Sequence, residues 1–338
     1  MKKYIVLFVL LFTPVSMLTV FAQTKVGTTV ANFLTIPVGP RASGMGGAFV
    51  ATANDASALF WNPGGVSRLT KNEFGVSYSQ WLVGTNYNWL GLVYKLDENS
   101  TFGVSVNQLD YGTEEITNDL LPDGTGENWS AQDIAIGVTY ARNLTDRFSI
   151  GGTFKYIRQQ IWHESASAFA LDIGLLFNTQ IEGLRLGMNI TNFGTEMKLD
   201  GKDLYQAIDN DRKFYSGNNE KIPGSLNTDS WTLPLLYYVG VAYDALKNND
   251  FKVTIATDAV YPNNQNLYLN VGGEATYIDM FSLRAGKNSL FKDDAVEGMS
   301  YGVGFKYDFG SVITKIDYSY NDYKRFKQIS KVSVSVEF

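Results

Sequence analysis

His163 is the only histidine in 338 residues, and there is no cysteine, so one imidazole and no thiol are available for chemistry near neutral pH. His163 stands between Trp162 and Glu164. It has no second imidazole for a transition-metal site and no recognisable Ser or Cys partner for a triad. Its context reads as an exposed loop. Gly44-Met45-Gly46-Gly47 is glycine-rich, yet no Lys-Ser or Lys-Thr completes a phosphate loop and no strand-helix unit precedes it. Asp200, Asp203, Asp209 and Asp211 depart from EF-hand spacing, and a solvated acidic loop is their default reading. No catalytic residue, metal or cofactor is expected. Arg41 and Asp55 carry a more specific expectation. They flank the glycine turn, and a desolvated ion pair between them would hold that segment folded.

The elements around these residues are strands. The chain ends in "SKVSVSVEF", where Val332, Val334, Val336 and Phe338 point one way and Lys331, Ser333, Ser335 and Glu337 the other. The same period recurs in Ser167, Phe169, Leu171, Ile173, Leu175 and Phe177 against Ala168, Ala170, Asp172, Gly174, Leu176 and Asn178. A long strand with one apolar face and one small or polar face suits a wall between lipid and a lumen. Strands are expected at 73–81, 86–96, 100–109, 133–142, 148–161, 166–178, 184–193, 233–244, 251–261, 266–277, 281–287, 301–309, 312–320 and 328–338. They make an even set of fourteen. A soluble β-sandwich is the alternative, but its strands average roughly 5–6 residues. Most of these run about ten, as a tilted membrane strand requires.

The connections carry a second argument. Links 97–99, 143–147, 179–183, 245–250, 278–280 and 310–311 are short, whereas 110–132, 194–232 and 288–300 are long and all fall in the other class. Outer-membrane barrels have short periplasmic turns and long outer loops, which would put both termini in the periplasm.

Composition and the first residues agree. The chain holds 20 Tyr, 21 Phe, 6 Trp and 32 Gly, as barrels with aromatic girdles and small inward side chains do. Lys2 and Lys3 precede an apolar stretch, and Val20-Phe21-Ala22 offers a cleavage site before Gln23, so 1–22 reads as a signal peptide. Pro14 and Ser16 interrupt that stretch, against an uncleaved transmembrane anchor. The formal charge of -6 becomes -8 without the two lysines, which makes nucleic acid a poor partner. The expected setting is therefore outer-membrane lipid, with Phe338 as the terminal aromatic by which barrel assembly machinery recognises its substrates.

Residues 23–70 lack the alternation. Ala42 to Ala58 is rich in small residues, Asn54 or Asp55 could cap a short helix near 56–60, and Asn62-Pro63-Gly64-Gly65 breaks the chain. This segment is expected to plug the lumen or close one mouth as a hatch, ahead of a barrel at 71–338. The inward parity contributes Asp172, Lys252, Asp258, Glu274, Arg284, Lys306, Asp308, Asp317 and Lys331. That mixture of signs fits structural salt bridges better than an open apolar channel.

The segment "KVGTTVANFLTIPVGPRASGMGGAFVATANDASALFWNPGGVSRL" resembles the N-terminal signature of the PorV/PorQ family of outer-membrane proteins, within the FadL-like group. The likeness runs through Gly27, Phe33, Leu34, Gly39, Arg41, Met45, Gly46, Gly47, Ala48, Asp55, Trp61, Asn62, Pro63 and Gly64. The family usually has Asn-Pro-Ala-Gly where this chain has Asn62-Pro63-Gly64-Gly65. The resemblance implies an all-β, fourteen-stranded FadL-like barrel with a hatch and no enzymatic activity. An outer-membrane phospholipase would need a Ser-His pair that the sequence does not display.

Two functions go with that resemblance. PorV-like members of the type IX secretion system receive cargo by its C-terminal signal domain and carry it to surface attachment. FadL-like relatives pass hydrophobic small molecules through a hatch-gated lumen, where a hydrophobic ligand or detergent would sit. The long loops favour the protein partner, because Tyr205, Phe214, Tyr215 and Trp231 among charges are the aromatic anchors interfaces use, the alternative being a solvated outer loop with no partner.

Overall fold

The computed structural model describes residues 27–208, 222–292 and 295–338. The expected signal peptide, residues 23–26, Asp209, Asp211, Phe214 and Tyr215 lie outside the described residues.

Fourteen long strands form the wall: β1 (Glu73–Gln80), β2 (Asn86–Lys95), β3 (Ser100–Glu115), β4 (Asn128–Asn143), β5 (Phe148–Ile161), β6 (Glu164–Asn178), β7 (Leu184–Gly194), β8 (Leu236–Lys247), β9 (Phe251–Pro262), β10 (Tyr268–Tyr277), β11 (Phe281–Leu290), β12 (Met299–Asp308), β13 (Ile313–Asp322) and β14 (Gln328–Glu337). Each pairs antiparallel with its neighbours in the chain. β1 then pairs with β14, from Glu73 opposite Glu337 to Ser79 opposite Lys331, and this closes the barrel without a free edge. Because closure lets the wall strands pair their backbone groups with one another all the way round, it is what permits the wall to face lipid.

The two faces follow the alternation in the sequence. On β6, Ser167, Phe169, Leu171, Ile173 and Phe177 point outward, while Ala168, Ala170, Asp172 and Gly174 are buried within. On β14, Val332 and Val334 lie outside, and Lys331 is only 1% exposed. One bulge interrupts the β6–β7 register between Leu171 and Ile173. There Asp172 Oδ1 accepts the backbone N–H of Asn192 at 2.8 Å, which supplies the partner the ladder omits.

The strand limits depart from expectation in physically legible ways. β3 and β4 continue to Glu115 and from Asn128, so the expected 110–132 loop contracts to a short tip above a two-stranded extension. β8 begins at Leu236 instead of 233, because Pro234 has no N–H to give a ladder. The 195–235 connection is not bare loop. Asp200–Gly201 adds to the end of β6, Met197–Lys198 pairs with Ser230–Trp231, and Tyr205–Ile208 pairs with Ile222–Ser225.

Residues 29–70 occupy the lumen. Three helical turns carry part of the segment: α1 (Pro40–Gly44), α2 (Ala58–Trp61) and α3 (Pro63–Val66). α2 starts later than the expected 56–60, and Asp55 binds just ahead of it, its Oδ1 accepting the N–H of Ser57 at 2.9 Å. Asn62 leaves helical geometry at φ -161°, ends α2 and caps α3 through Gly64 N–H. Met45, Ala48, Phe49 and Val50 are wholly buried, so the molecule's core is this segment packed against the inner wall.

Candidate functional site

An irregular segment buried inside a barrel brings backbone N–H and C=O groups away from water, and each of them needs a partner. Polar side chains of the inner wall supply several. Asp258 Oδ2 accepts the N–H groups of Phe49 and Val50 at 2.7 and 2.9 Å. Asn189 Nδ2 donates to Trp61 O at 2.8 Å, and Asn270 Nδ2 to Gly47 O at 3.3 Å. Gln159 Oε1 accepts Ala31 N–H at 3.0 Å, and the Lys331 ammonium donates to Pro37 O. Within the segment, Asn62 Nδ2 bridges Val50 O at 2.8 Å and Leu175 O of β6 at 2.9 Å. Trp61 Nε1 donates to Val38 O at 2.9 Å.

Small residues let the two surfaces meet. A methyl group on Gly64 would come within 2.7 Å of Gly174 O on β6, and one on Gly46 within 2.5 Å of Lys287 N on β11. Gly46 also sits at φ +62°, where a side chain is strained. The glycine motif is therefore a packing face, consistent with the absence of a phosphate-loop lysine.

A charged chain fastens the other side. Arg41 Nη1 lies 2.7 Å from Asp55 Oδ2, as the sequence suggested. The guanidinium also reaches Glu274 on β10, with Nη2 to Oε1 at 2.9 Å and Nε to Oε2 at 3.0 Å. Glu274 then meets Arg284 of β11 at 2.6 Å, and Arg284 meets Asp317 of β13 at 2.5 Å. Nearby, Lys315 pairs with Glu73 at 3.3 Å and with Glu337. Burial opposes the charge on Arg41, but Glu274 and Asp55 outweigh it and hold its pKa well above the ordinary value. Burial likewise opposes ionisation of Asp55, yet Arg41, then Lys315 and Ser57, keep its carboxyl below the usual range.

These contacts divide the interior. A cavity of about 400 Å³ opens at the short-turn end and is lined by Arg41, Asp55, Glu274 and Arg284. A second, of about 150 Å³, opens at the long-loop end beside Trp81, Tyr238 and Tyr268. The two share no lining residue.

The remaining expected residues are placed as follows. Gly39 precedes α1 at φ +76°, and Pro63 opens α3. Tyr205 and Trp231 are 58% and 47% exposed on the small ladders of the 195–235 connection, with no ring contact between them among the described residues. Phe338 lies outside the wall at the short-turn end, and its N–H donates to Asn72 O at 3.0 Å. His163 stacks on Trp162, and its Nδ1 is 2.7 Å from Asp203 Oδ2, a loop contact with no triad geometry. Among the described residues no group of acidic and histidine side chains could hold a metal ion.

Lys155, buried on β5 and 2.5 Å from Asp172, went unnoticed in the sequence, although β5 parity turns it inward. Asn189, Asn270 and Gln159 were missed for a different reason. No local signal marks an amide that meets backbone from a distant segment.

The family model for "Type IX secretion system protein PorV" matches residues 20–214, more than half of the chain. The chain belongs to the PorV family. Among solved structures this PorV-family chain is similar to the monoaromatic hydrocarbon channel CymD, with a TM-score of 0.59 and 14% identity over 90% of this chain and 98% of that one. A Pseudomonas aeruginosa FadL homologue gives 0.54 and 12% over 90% and 98%. The Ralstonia pickettii toluene transporter TbuX gives 0.53 and 12% over 88% and 97%. At such identities the likeness shows the fold alone, a FadL-like β-barrel. No curated protein matches the chain.

Proposed function

We propose that this PorV-family chain captures secreted cargo by its C-terminal signal domain at the long-loop end of the barrel. In this reading the long loops face the cell exterior, and the short turns and both termini face the periplasm. The N-terminal segment acts as a fixed plug, and no chemical step belongs to the protein. Phe338, exposed at the short-turn end, would be the residue read by the barrel assembly machinery.

The observation that carries the reading is the loop layer above a filled lumen. Tyr205–Ile208 and Ile222–Ser225 form a ladder that leaves Tyr205, Ile208 and Ile222 exposed, and Leu120 at the β3–β4 tip is 90% exposed. Side chains of this kind on a hydrogen-bonded frame suit a protein surface more than a passage. The alternative, passive passage of hydrophobic small molecules, would route them past the Arg41–Glu274–Arg284 chain, where charged groups would lose partners.

Deleting residues 201–228 from the full chain tests the proposal. Capture of a cargo signal domain from solution should fall at least about tenfold, a loss of roughly 1.4 kcal/mol or more, while the barrel keeps its heat-modifiable mobility on gels. Undiminished capture would sink the proposal. Lost uptake of toluene with capture unchanged would favour the conduit.

A further inference from the structure

We infer that the cavity at the long-loop end is a binding site for a carbohydrate ring. Its volume of about 150 Å³ lies between the wall and the Asn32–Thr35 turn of the plug. Tyr238 of β8 and Tyr268 of β10 project into it from the wall, and Tyr323 and Trp81 complete the rim. The last two rings meet edge to face at 5.5 Å.

The polar chemistry inside is unspent. Glu297 Oε2 is buried without a hydrogen-bond partner, and the phenols of Tyr238, Tyr268 and Tyr323 line the same cavity. A buried polar atom of this kind carries a cost unless a ligand or water satisfies it. Lys292 also lines the cavity, with its ammonium 5.5 Å from the centre of the Tyr268 ring.

Three ligand classes can be weighed against this lining. An apolar ligand would leave the buried Glu297 carboxylate oxygen unpaired and offer nothing to the phenols beside it, which is unfavourable. An organic cation would be drawn to Glu297 and the aromatic faces, but Lys292 already occupies the face of Tyr268 and repels a second positive charge. A sugar ring uses what is present. Its C–H face packs on aromatic rings, and its hydroxyls both donate to Glu297 and exchange hydrogen bonds with the phenols and the Lys292 ammonium. The space admits one ring with the rest of a glycan outside. The ring could belong to a free saccharide or to the headgroup of a glycolipid, since the chemistry is the same.

The test uses the full chain purified in a detergent without a sugar headgroup. Methyl glycosides of glucose, mannose and N-acetylglucosamine are titrated to millimolar concentration, with tryptophan fluorescence and calorimetry as readouts. At least one should bind saturably. Tyr268→Phe and Glu297→Gln should each weaken it about 5- to 10-fold, the loss of one hydrogen bond. Repeating the titration in nanodiscs separates the sources. Binding blocked by lipopolysaccharide but not by phospholipid alone assigns a glycolipid headgroup, and binding retained in both assigns a free saccharide. Failure of all three glycosides, wild-type affinity in both variants, or saturable toluene binding without any glycoside binding would overturn the inference.

Discussion

Arg41 and Glu274, 233 residues apart in the chain, are joined by a two-point fork in which Nε and Nη2 of the guanidinium bond the two carboxylate oxygens at 3.0 and 2.9 Å. This fork ties the plug to β10 and, through Arg284 and Asp317, to β11 and β13. The same guanidinium holds Asp55.

Arg41→Ala should therefore leave Asp55 without its main counter-charge and take one of two partners from Glu274. The expected loss is about 3–5 kcal/mol, the cost of breaking a mostly desolvated pair from one side. Arg41→Lys should recover only part of it, because an ammonium cannot reproduce the fork. Denaturant midpoints in detergent and heat-modifiability of the folded barrel measure both. Midpoints equal to wild type would contradict the anchoring role.

Acid should release the plug at Asp55. Its folded pKa lies below the unfolded value, so its contribution is fully present above the unfolded carboxylate value of about 3.9 and is lost as pH falls through the folded pKa. Protease access to residues 29–70 should thus stay low down to about pH 4 and rise below it. In Asp55→Asn this acid step should disappear. A rise already complete at neutral pH in the wild type would refute the assignment.

Asn62→Ala tests the buried amide. It removes two donations, to Val50 O and Leu175 O, and the acceptor for Gly64 N–H, at a site with no solvent exposure. Unsatisfied buried groups cost about 1–3 kcal/mol each, so a loss of roughly 3 kcal/mol or more is expected in the same denaturation assay. A change below about 1 kcal/mol would show that the site relaxes.

Gly46→Ala should cost more than an ordinary glycine change, since its methyl would meet the β11 backbone at 2.5 Å in a left-handed conformation. Overpacking predicts about 1–3 kcal/mol with added backbone strain. Gly152→Ala is the control, because its methyl would be at an ordinary 3.6 Å from the nearest atom. Equal stabilities for the two would argue against close packing of the plug.

Much of the wall was legible, because a period of two marks which residues face lipid and which face inward, and Glu274, Arg284 and Asp317 were read as inward on that basis. Their connection into one chain was not legible. It depends on the depth at which the plug sits and on the strand register, neither of which leaves a local pattern. The Arg41 and Asp55 pairing could be read because the glycine turn between them is short. Glu274 as the third member could not, since it arrives from the far part of the chain. The cavity at the long-loop end was similarly hidden: Tyr238 and Tyr268 come from two strands, Tyr323 and Glu297 from two loops, and they share no spacing.

The central claim is that the barrel works with its plug in place. A methyl built on Gly75 of β1 would lie 3.5 Å from the Ala56 Cβ of the plug, within disulfide range, and the chain has no other cysteine to interfere. The measurement is cargo secretion and surface attachment in cells carrying Ala56→Cys with Gly75→Cys, oxidised and then reduced. The account predicts wild-type secretion with the bridge closed. Secretion that stops on oxidation and returns on reduction would contradict it.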